Sequence, residues 1–215
     1  MQKIFNKIIP AKMPNTFNPW READALDAGK RPWLARRERL RQHFDCAPKL
    51  LLIGEASGYQ GCHFSGIPFT NEKLILEGKI PRVTASDRIT TRGRPWCEPS
   101  ATIVWGTLHE LGIAESTVLW NAFAWHPHLP GNVHSNRTPT PAEFAEGQST
   151  LQTVLQHFPG VPVIAVGQKS QALLARLGIA VNGCVRHPAM GGATAFRQGM
   201  SDLATQSAAK RARKR

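Results

Sequence analysis

Short apolar runs alternate with amphipathic stretches along most of this chain. In residues 49–53, Lys49 is followed by four apolar residues, and Gly54 comes directly after them. This pattern is typical of a buried parallel strand. Three further strands are predicted, at residues 117–120, 161–166 and 184–185. Helices are predicted at residues 101–111, where Ser100 would be the N-cap, at 141–158 behind a Thr140–Glu143 capping box, at 169–177 and toward the C terminus.

Strands that alternate with helices predict an α/β domain with a parallel sheet. Right-handed crossovers place the carboxyl ends of such strands at one edge of the sheet, where ligands usually bind. We therefore searched the segments that follow each predicted strand for residues that can do chemistry.

The N-terminal region carries less pattern. Residues 1–20 contain three prolines and predict an irregular arm, and residues 21–44 predict a basic helical stretch interrupted near Pro32. Its arginines, at positions 36, 37, 39 and 41, fit a solvated face or a DNA contact. We predict that residues 1–48 pack on a core domain of residues 49–205, followed by a basic tail at 206–215. The long basic loop at 81–99 fits a functional flap or a disordered insert.

The charge balance favours a polyanionic partner. Lys and Arg number 27 against 15 Asp and Glu, which gives a net charge of +12 and a pI near 10.2. Five of these charges lie in residues 210–215, and removing them leaves 12 − 5 = +7. Nucleic acid is a better partner than an anionic membrane, although a basic tail on a neutral enzyme is the alternative.

The cysteines and the apolar segments bear on the compartment. The four cysteines are far apart, which indicates reduced thiols in a cytoplasm rather than a disulfide framework. The apolar stretch at residues 4–9 is too short for a secretion signal, and no later stretch reaches membrane-spanning length. We expect a cytoplasmic protein without membrane contact.

Two segments near the first strand could contact a ligand. The run GEASG at 54–58 follows the strand and would expose backbone amides, although a tight strand-exit turn explains it equally well. It matches neither a P-loop nor a nucleophile elbow. Phe69, in GIPFT at 66–70, could plug the core or stack on a nucleobase.

Two polar side chains follow later strands. Asn121 could read the hydrogen-bonding edge of a base or could bond loop backbone. His187 could stabilise a developing negative charge or could be structural. His126, His128 and His134 lack a carboxylate or thiol at ligand spacing, so no metal site is predicted.

Taken together, residues 49–200 resemble the uracil-DNA glycosylase superfamily, and most of all its thermostable iron–sulfur branch. The motif GEAPG followed by GxPF of that branch is similar to residues 54–58 and 66–69. Its motif NxxKCRPP is similar to residues 121–128, GNRDPTPE to residues 135–141, and HPS to residues 187–189.

The resemblance implies a three-layer α/β/α sandwich with a central, mainly parallel four-stranded sheet. It also implies an enzyme that flips uracil out of DNA and hydrolyses its N-glycosidic bond. Glu55 would place the water and His187 would contact O2 of the base, while Gly54, Ala56, Phe69 and Asn121 would bind the base. DNA contacts would come from Ser57, Asn136, Arg137, Arg186 and Arg197.

The chain also departs from this family pattern. Trp125 and Gly147 stand where the iron–sulfur branch has cluster cysteines, so we expect no cluster, no other cofactor, and packing around Trp125 instead. Ala56 replaces an Asp and Gly58 a Tyr of other branches, which leaves water activation to Glu55 and the range of bases open. Some relatives bind the abasic product covalently through a His in the region of His134.

These observations predict a monomeric DNA-repair glycosylase that acts on single- or double-stranded DNA of the nucleoid. Two alternatives stay open: a binding protein for damaged or abasic DNA on the same scaffold, and a small-molecule hydrolase that uses Ser57 or Glu55.

Overall fold

The computed structural model describes residues 1–84 and 88–212, with side chains described through residue 206. Its strands are β1 (Thr16–Phe17), β2 (Leu50–Ala56), β3 (Thr117–Phe123), β4 (His126–Pro127), β5 (Val163–Val166) and β6 (Gly183–Val185). Its helices are α1 (Gln2–Ile8), α2 (Pro32–Phe44), α3 (Cys62–Ser65), α4 (Glu72–Leu76), α5 (Pro99–Glu110), α6 (Pro141–His157), α7 (Gln168–Arg176) and α8 (Ala193–Ala212).

The central sheet has four parallel strands in the order β3-β2-β5-β6. The connection from β2 leads to β3 at one edge of the sheet, and the connection from β5 leads to β6 at the other edge. A crevice therefore opens between the carboxyl ends of β2 and β5, the position where open α/β sheets usually bind ligands. The short strands β1 and β4 form a separate antiparallel pair.

Side chains on alternate strand positions enter two different cores, because successive residues of a strand point to opposite faces. Leu51 and Ile53 of β2 pack in a core with α1, α2, α6 and α7, whereas Leu52 packs in a core with α4, α5 and α8. Helices thus cover both faces of the sheet. The predicted three-layer α/β/α sandwich is confirmed.

Most element positions agree with the sequence prediction, and two strands are longer. The capping box at the start of α6 is present: the Glu143 N–H donates to the Thr140 hydroxyl, and the Thr140 N–H donates to the Glu143 carboxylate. Strand β2 continues through Ala56 and β3 through Phe123. Consequently Gly54 and Asn121 lie within strands, where we expected them to follow strands.

The prolines of the N-terminal arm predicted an irregular segment, but the arm begins with a helix. Residues 2–8 form α1, whose Ile4 and Ile8 are fully buried in the core against α6. Spacing of four residues puts these two side chains on one helix face. Their burial explains the short apolar stretch near the N terminus.

The basic stretch differs from prediction at its arginines. Helix α2 begins only at Pro32, and residues 21–31 form turns and bends. Arg36 and Arg39 are buried, so the interpretation as a solvated or DNA-contacting face was wrong for these two. Arg36 forms an ion pair with Asp27 and packs against Gly66, whose φ of +80° and missing Cβ make room for it.

The loop at 81–99 is anchored where the structure describes it; residues 85–87 lie outside the described part. Arg82 donates to the carbonyls of His43 and Glu115, and Arg88 forms an ion pair with the buried Glu72. The Arg92 guanidinium stacks 3.9 Å from the Trp96 ring centroid. The predicted basic tail extends beyond the described side chains.

In the described part of the chain, we find no helix with the length and apolarity that crossing a membrane requires.

Candidate active site

The centre of the candidate site is Gly54, at the crevice edge of β2. Parallel pairing places Gly54 beside Asn121 of β3. A Cβ on Gly54 would lie 2.4 Å from the Phe69 ring and 2.5 Å from the side-chain amide of Asn121. No larger residue fits here without moving both side chains. The glycine therefore lets an aromatic face and an amide converge over the end of the strand.

Phe69 is held by the loop that follows α3. Its φ of 51° is the left-handed conformation, which costs energy in a non-glycine residue and often marks functional sites. The next residue, Thr70, donates to the Pro68 carbonyl and accepts from the Trp105 indole at 2.9 Å. These bonds fix the loop so that the Phe69 ring lies against Gly54.

Asn121 is buried, and its amide is oriented by the first motif. The best orientation has Oδ1 accepting from the Ser57 backbone N–H at 3.2 Å and Nδ2 donating to the Trp120 carbonyl at 3.3 Å. The Ser57 hydroxyl donates to the Ala124 carbonyl at 2.6 Å. An amide has two N–H groups and two oxygen lone pairs, so one donor and one acceptor position remain for a ligand.

His187 lies beside Phe69, with ring centroids 6.0 Å apart. The Ala189 backbone N–H donates to Nδ1 at 3.1 Å, so the proton of the neutral ring sits on Nε2. Burial, and then the positive charge of Arg186, lowers the pKa of His187. The ring is therefore a neutral donor at pH 7.

Glu55 is the last ionisable residue of β2, next to the crevice. Its Oε1 is buried without a hydrogen-bond partner among the described residues, and the ammonium group of Lys169 lies 3.6 Å away. Lys169 belongs to the first turn of α7 and donates to the Thr138 hydroxyl at 2.5 Å. A carboxylate oxygen without a hydrogen-bond partner can accept a hydrogen bond from a water molecule.

Three of the predicted DNA contacts remain exposed. Asn136 accepts from the Tyr59 backbone N–H at 3.0 Å, which ties the loop after β4 to the first motif. Arg186 lies next to His187, whereas Arg197 faces a groove between α5 and α8 that also contains Glu110.

The other two predicted DNA contacts are engaged inside the protein. Ser57 is buried and its hydroxyl is bound to Ala124. Arg137 forms a bidentate pair with Glu143 and also donates to the carbonyls of Asn15 and His128. Since these bonds use the N–H groups of the guanidinium, Arg137 supports the loop and does not point to a phosphate.

Sequence reasoning missed three residues beside the site. Lys169 was not recognised because only the fold brings it to Glu55. Burial raises the pKa of Glu98, whose carboxylate lies against Gly58 and Gly61. Met190 has a φ of 53° and is 92% exposed, three residues after His187. A large apolar residue two positions after the HP pair was a signal available in the sequence.

The position of the iron–sulfur cluster in the resembled branch holds tight packing here. Trp125 is buried, donates to the Ile8 carbonyl at 3.0 Å and packs edge-on against Phe123. A Cβ on Gly147 would lie 3.7 Å from the Trp125 ring. The side chains of Trp125 and Gly147, at the two cluster positions, offer no ligand atom, and the Trp125 indole fills the space.

Comparison with known proteins identifies the family and the fold. Residues 41–214 match the family model described as the uracil DNA glycosylase superfamily. The fold matches that of wild-type SMUG2 from Pedobacter heparinus with a TM-score of 0.65 and 17% identity, over 98% of this chain and 97% of that one. No curated protein matches this sequence.

The chain therefore belongs to the uracil DNA glycosylase superfamily, and the class of protein that fold and site define is a DNA glycosylase.

Proposed function

We propose that this protein removes uracil from DNA by hydrolysing the N-glycosidic bond after flipping the base, and that it leaves an abasic site. The observation that supports this most is the convergence of Phe69 and Asn121 on Gly54, with the His187 ring 6.0 Å from the Phe69 ring. A stacking face, a base-reading amide and a neutral donor are the groups that an extruded pyrimidine requires.

The remaining hydrogen-bonding capacity of Asn121 fits uracil. Its free N–H would donate to O4 and its free lone pair would accept from N3–H. Cytosine presents the reversed pattern and would leave buried groups unpaired, so the amide discriminates against it. Gly58 and Ala56 leave room around the base, so other deaminated bases are further candidate substrates.

His187 and Glu55 divide the chemistry. When the glycosidic bond breaks, its electron pair stays on N1 of the base, and the Nε2–H of His187 stabilises the negative charge that spreads to O2. The cationic sugar then takes up a water molecule at C1′. The unpartnered Oε1 of Glu55 would orient this water and accept its proton.

DNA would lie across the pocket mouth, with Asn136, Arg186 and Arg197 as contacts and Met190 as a wedge. An apolar side chain that is 92% exposed beside the pocket can fill the gap that the flipped base leaves. The net charge of +12 supports binding to the polyanion. We propose that the protein acts as a monomer on nucleoid DNA in the cytoplasm.

Single- and double-stranded oligonucleotides with one uracil test the proposal. After incubation and alkali treatment, breakage at the uracil supports a glycosylase. Binding without breakage would instead identify a damage-binding protein. A substrate panel of uracil, hypoxanthine, xanthine and mismatched thymine then defines the base range. Weak DNA binding that does not depend on salt would favour a small-molecule hydrolase.

A further inference from the structure

A cluster of histidines around Asp24 lies outside the proposed base pocket. Asp24 Oδ2 is 3.1 Å from His63 Nε2 and 3.0 Å from His134 Nε2. These three ligand atoms lie within 4.8 Å of one another. The sequence predicted no metal here because no carboxylate accompanies the histidines at ligand spacing. Folding brings Asp24 from 110 residues away to His134.

If the rings of His63 and His126 are both neutral, the hydrogen bonds of this cluster leave the contact between His63 and Asp24 without a proton. His126 Nε2 faces the Ser135 carbonyl at 2.8 Å and must donate to it, since a carbonyl only accepts. Its Nδ1 then accepts from His63 Nδ1 at 2.9 Å. His63 Nε2 is left with a lone pair that faces the Asp24 carboxylate, so two acceptors meet.

We propose that a divalent transition-metal cation, zinc in the first place, binds between Asp24, His63 and His134. The cation would replace the missing proton and accept both the lone pair of His63 Nε2 and the carboxylate. Ligand atoms around tetrahedral zinc are about 3.3–3.6 Å apart for bond lengths near 2.0–2.2 Å. The two pairs that include Asp24 Oδ2, at 3.0 and 3.1 Å, are close to this spacing. Two imidazoles and a carboxylate are donors that zinc accepts.

The surroundings hold the ligands in position. The Phe17 ring stacks on His63 with centroids 3.7 Å apart and an interplanar angle of 9°. His126 accepts from His63 and would be the outer partner that fixes its tautomer, as is usual for histidine ligands.

Charge and access also fit a cation. The nearby buried Arg36 is neutralised by its ion pair with Asp27. Asp24 and His63 are nearly inaccessible, whereas the side chain of His134 is 33% exposed. With three protein ligands, the fourth position would take a water molecule from the exposed side.

A bound cation would join three segments that are far apart in the sequence. Asp24 belongs to the N-terminal region, His63 to α3 behind the first motif, and His134 to the loop that carries Asn136. The site would therefore hold two loops of the proposed DNA face against the N-terminal segment. This role is independent of the base that the pocket accepts.

Metal content of the untagged full-length chain tests the proposal. After EDTA treatment, addition of zinc and dialysis, we expect one zinc per chain by mass spectrometry. His134→Ala should bind zinc at least about 100-fold more weakly, since loss of even an outer partner of a metal ligand costs 10–100-fold. His128→Ala, a neighbouring histidine outside the cluster, should bind as the parent does. His134 is partly exposed, so its substitution should leave the fold intact.

Two further measurements separate a built site from other outcomes. Cobalt(II) in place of zinc should give visible absorption bands that His134→Ala loses, and zinc should raise the melting temperature of the parent alone. His63→Ala provides a second variant, with its fold checked by circular dichroism. The proposal is overturned if the parent retains no zinc, which would mean that a shared proton completes the cluster. Equal retention by parent and His134→Ala would also overturn it.

Discussion

Replacing Gly54 with alanine tests the geometry of the base pocket with a single methyl group. The new Cβ would lie 2.4 Å from the Phe69 ring and 2.5 Å from the side-chain amide of Asn121, where ordinary contact begins at 3.4 Å. Both groups must therefore retreat by about 1 Å, and a displacement of this size can lower a rate about 100-fold. Overpacking of this kind also costs about 1–3 kcal/mol of folding stability.

The assay is single-turnover excision of uracil, with DNA binding measured separately by fluorescence anisotropy. Gly106→Ala is the matched control, because a Cβ there meets nothing within 4 Å and the helix α5 favours alanine. We expect Gly54→Ala to lose about 100-fold in rate and to keep its DNA affinity. If Gly54→Ala turns over as fast as Gly106→Ala, Phe69 and Asn121 do not form the base site.

Four other substitutions address the chemistry and the stability. His187→Ala should lower the excision rate about 100- to 1,000-fold, since it removes a donor to the developing anion. Asn121→Ala should also abolish most turnover. Both variants should retain DNA binding. Glu55→Gln should lower the rate about 100-fold or more if its carboxylate accepts the proton of the water. His43→Gln should reduce acid sensitivity: burial lowers the pKa of His43 to about 3 from 6.5, so the unfolded chain binds more protons below pH 6.5. At about pH 4.5 this difference destabilises the parent by about 3 kcal/mol, measured by denaturant unfolding against a sample at pH 7.5.

Each of these predictions has a clear contrary result. Near-normal rates for both His187→Ala and Asn121→Ala would refute the pocket assignment. A small effect of Glu55→Gln would leave water activation without a side-chain base. Equal loss of stability between pH 7.5 and pH 4.5 in the parent and in His43→Gln would show that His43 does not titrate as its burial implies.

Local pattern predicted the sheet and the helices because their signals lie within a few residues of each other. The apolar run before Gly54 and the Thr140–Glu143 capping box are of this kind. The buried arginines escaped prediction, since Arg36 is charged in any sequence pattern and becomes internal only through Asp27 and Gly66. Charge alone cannot distinguish a solvated arginine from one that is paired inside the fold.

The candidate site shows the same division. Motif resemblance identified Gly54, Phe69, Asn121 and His187, because each stands at a fixed place in the order of strands and loops. Arg137 carried the same kind of signal, yet its partner Glu143 engages it inside the protein. Motif order therefore predicted which segments meet and did not predict which side chains remain available.

The sequence by itself determined the α/β class and the succession of strands and helices along the chain, and its charge predicts a polyanionic partner, since periodicity, capping and charge act through neighbouring residues. Tertiary structure alone decided that Lys169 meets Glu55 and that Asp24 meets His63 and His134. Those contacts join residues far apart in the chain, and only the packing of whole elements sets the distances between them.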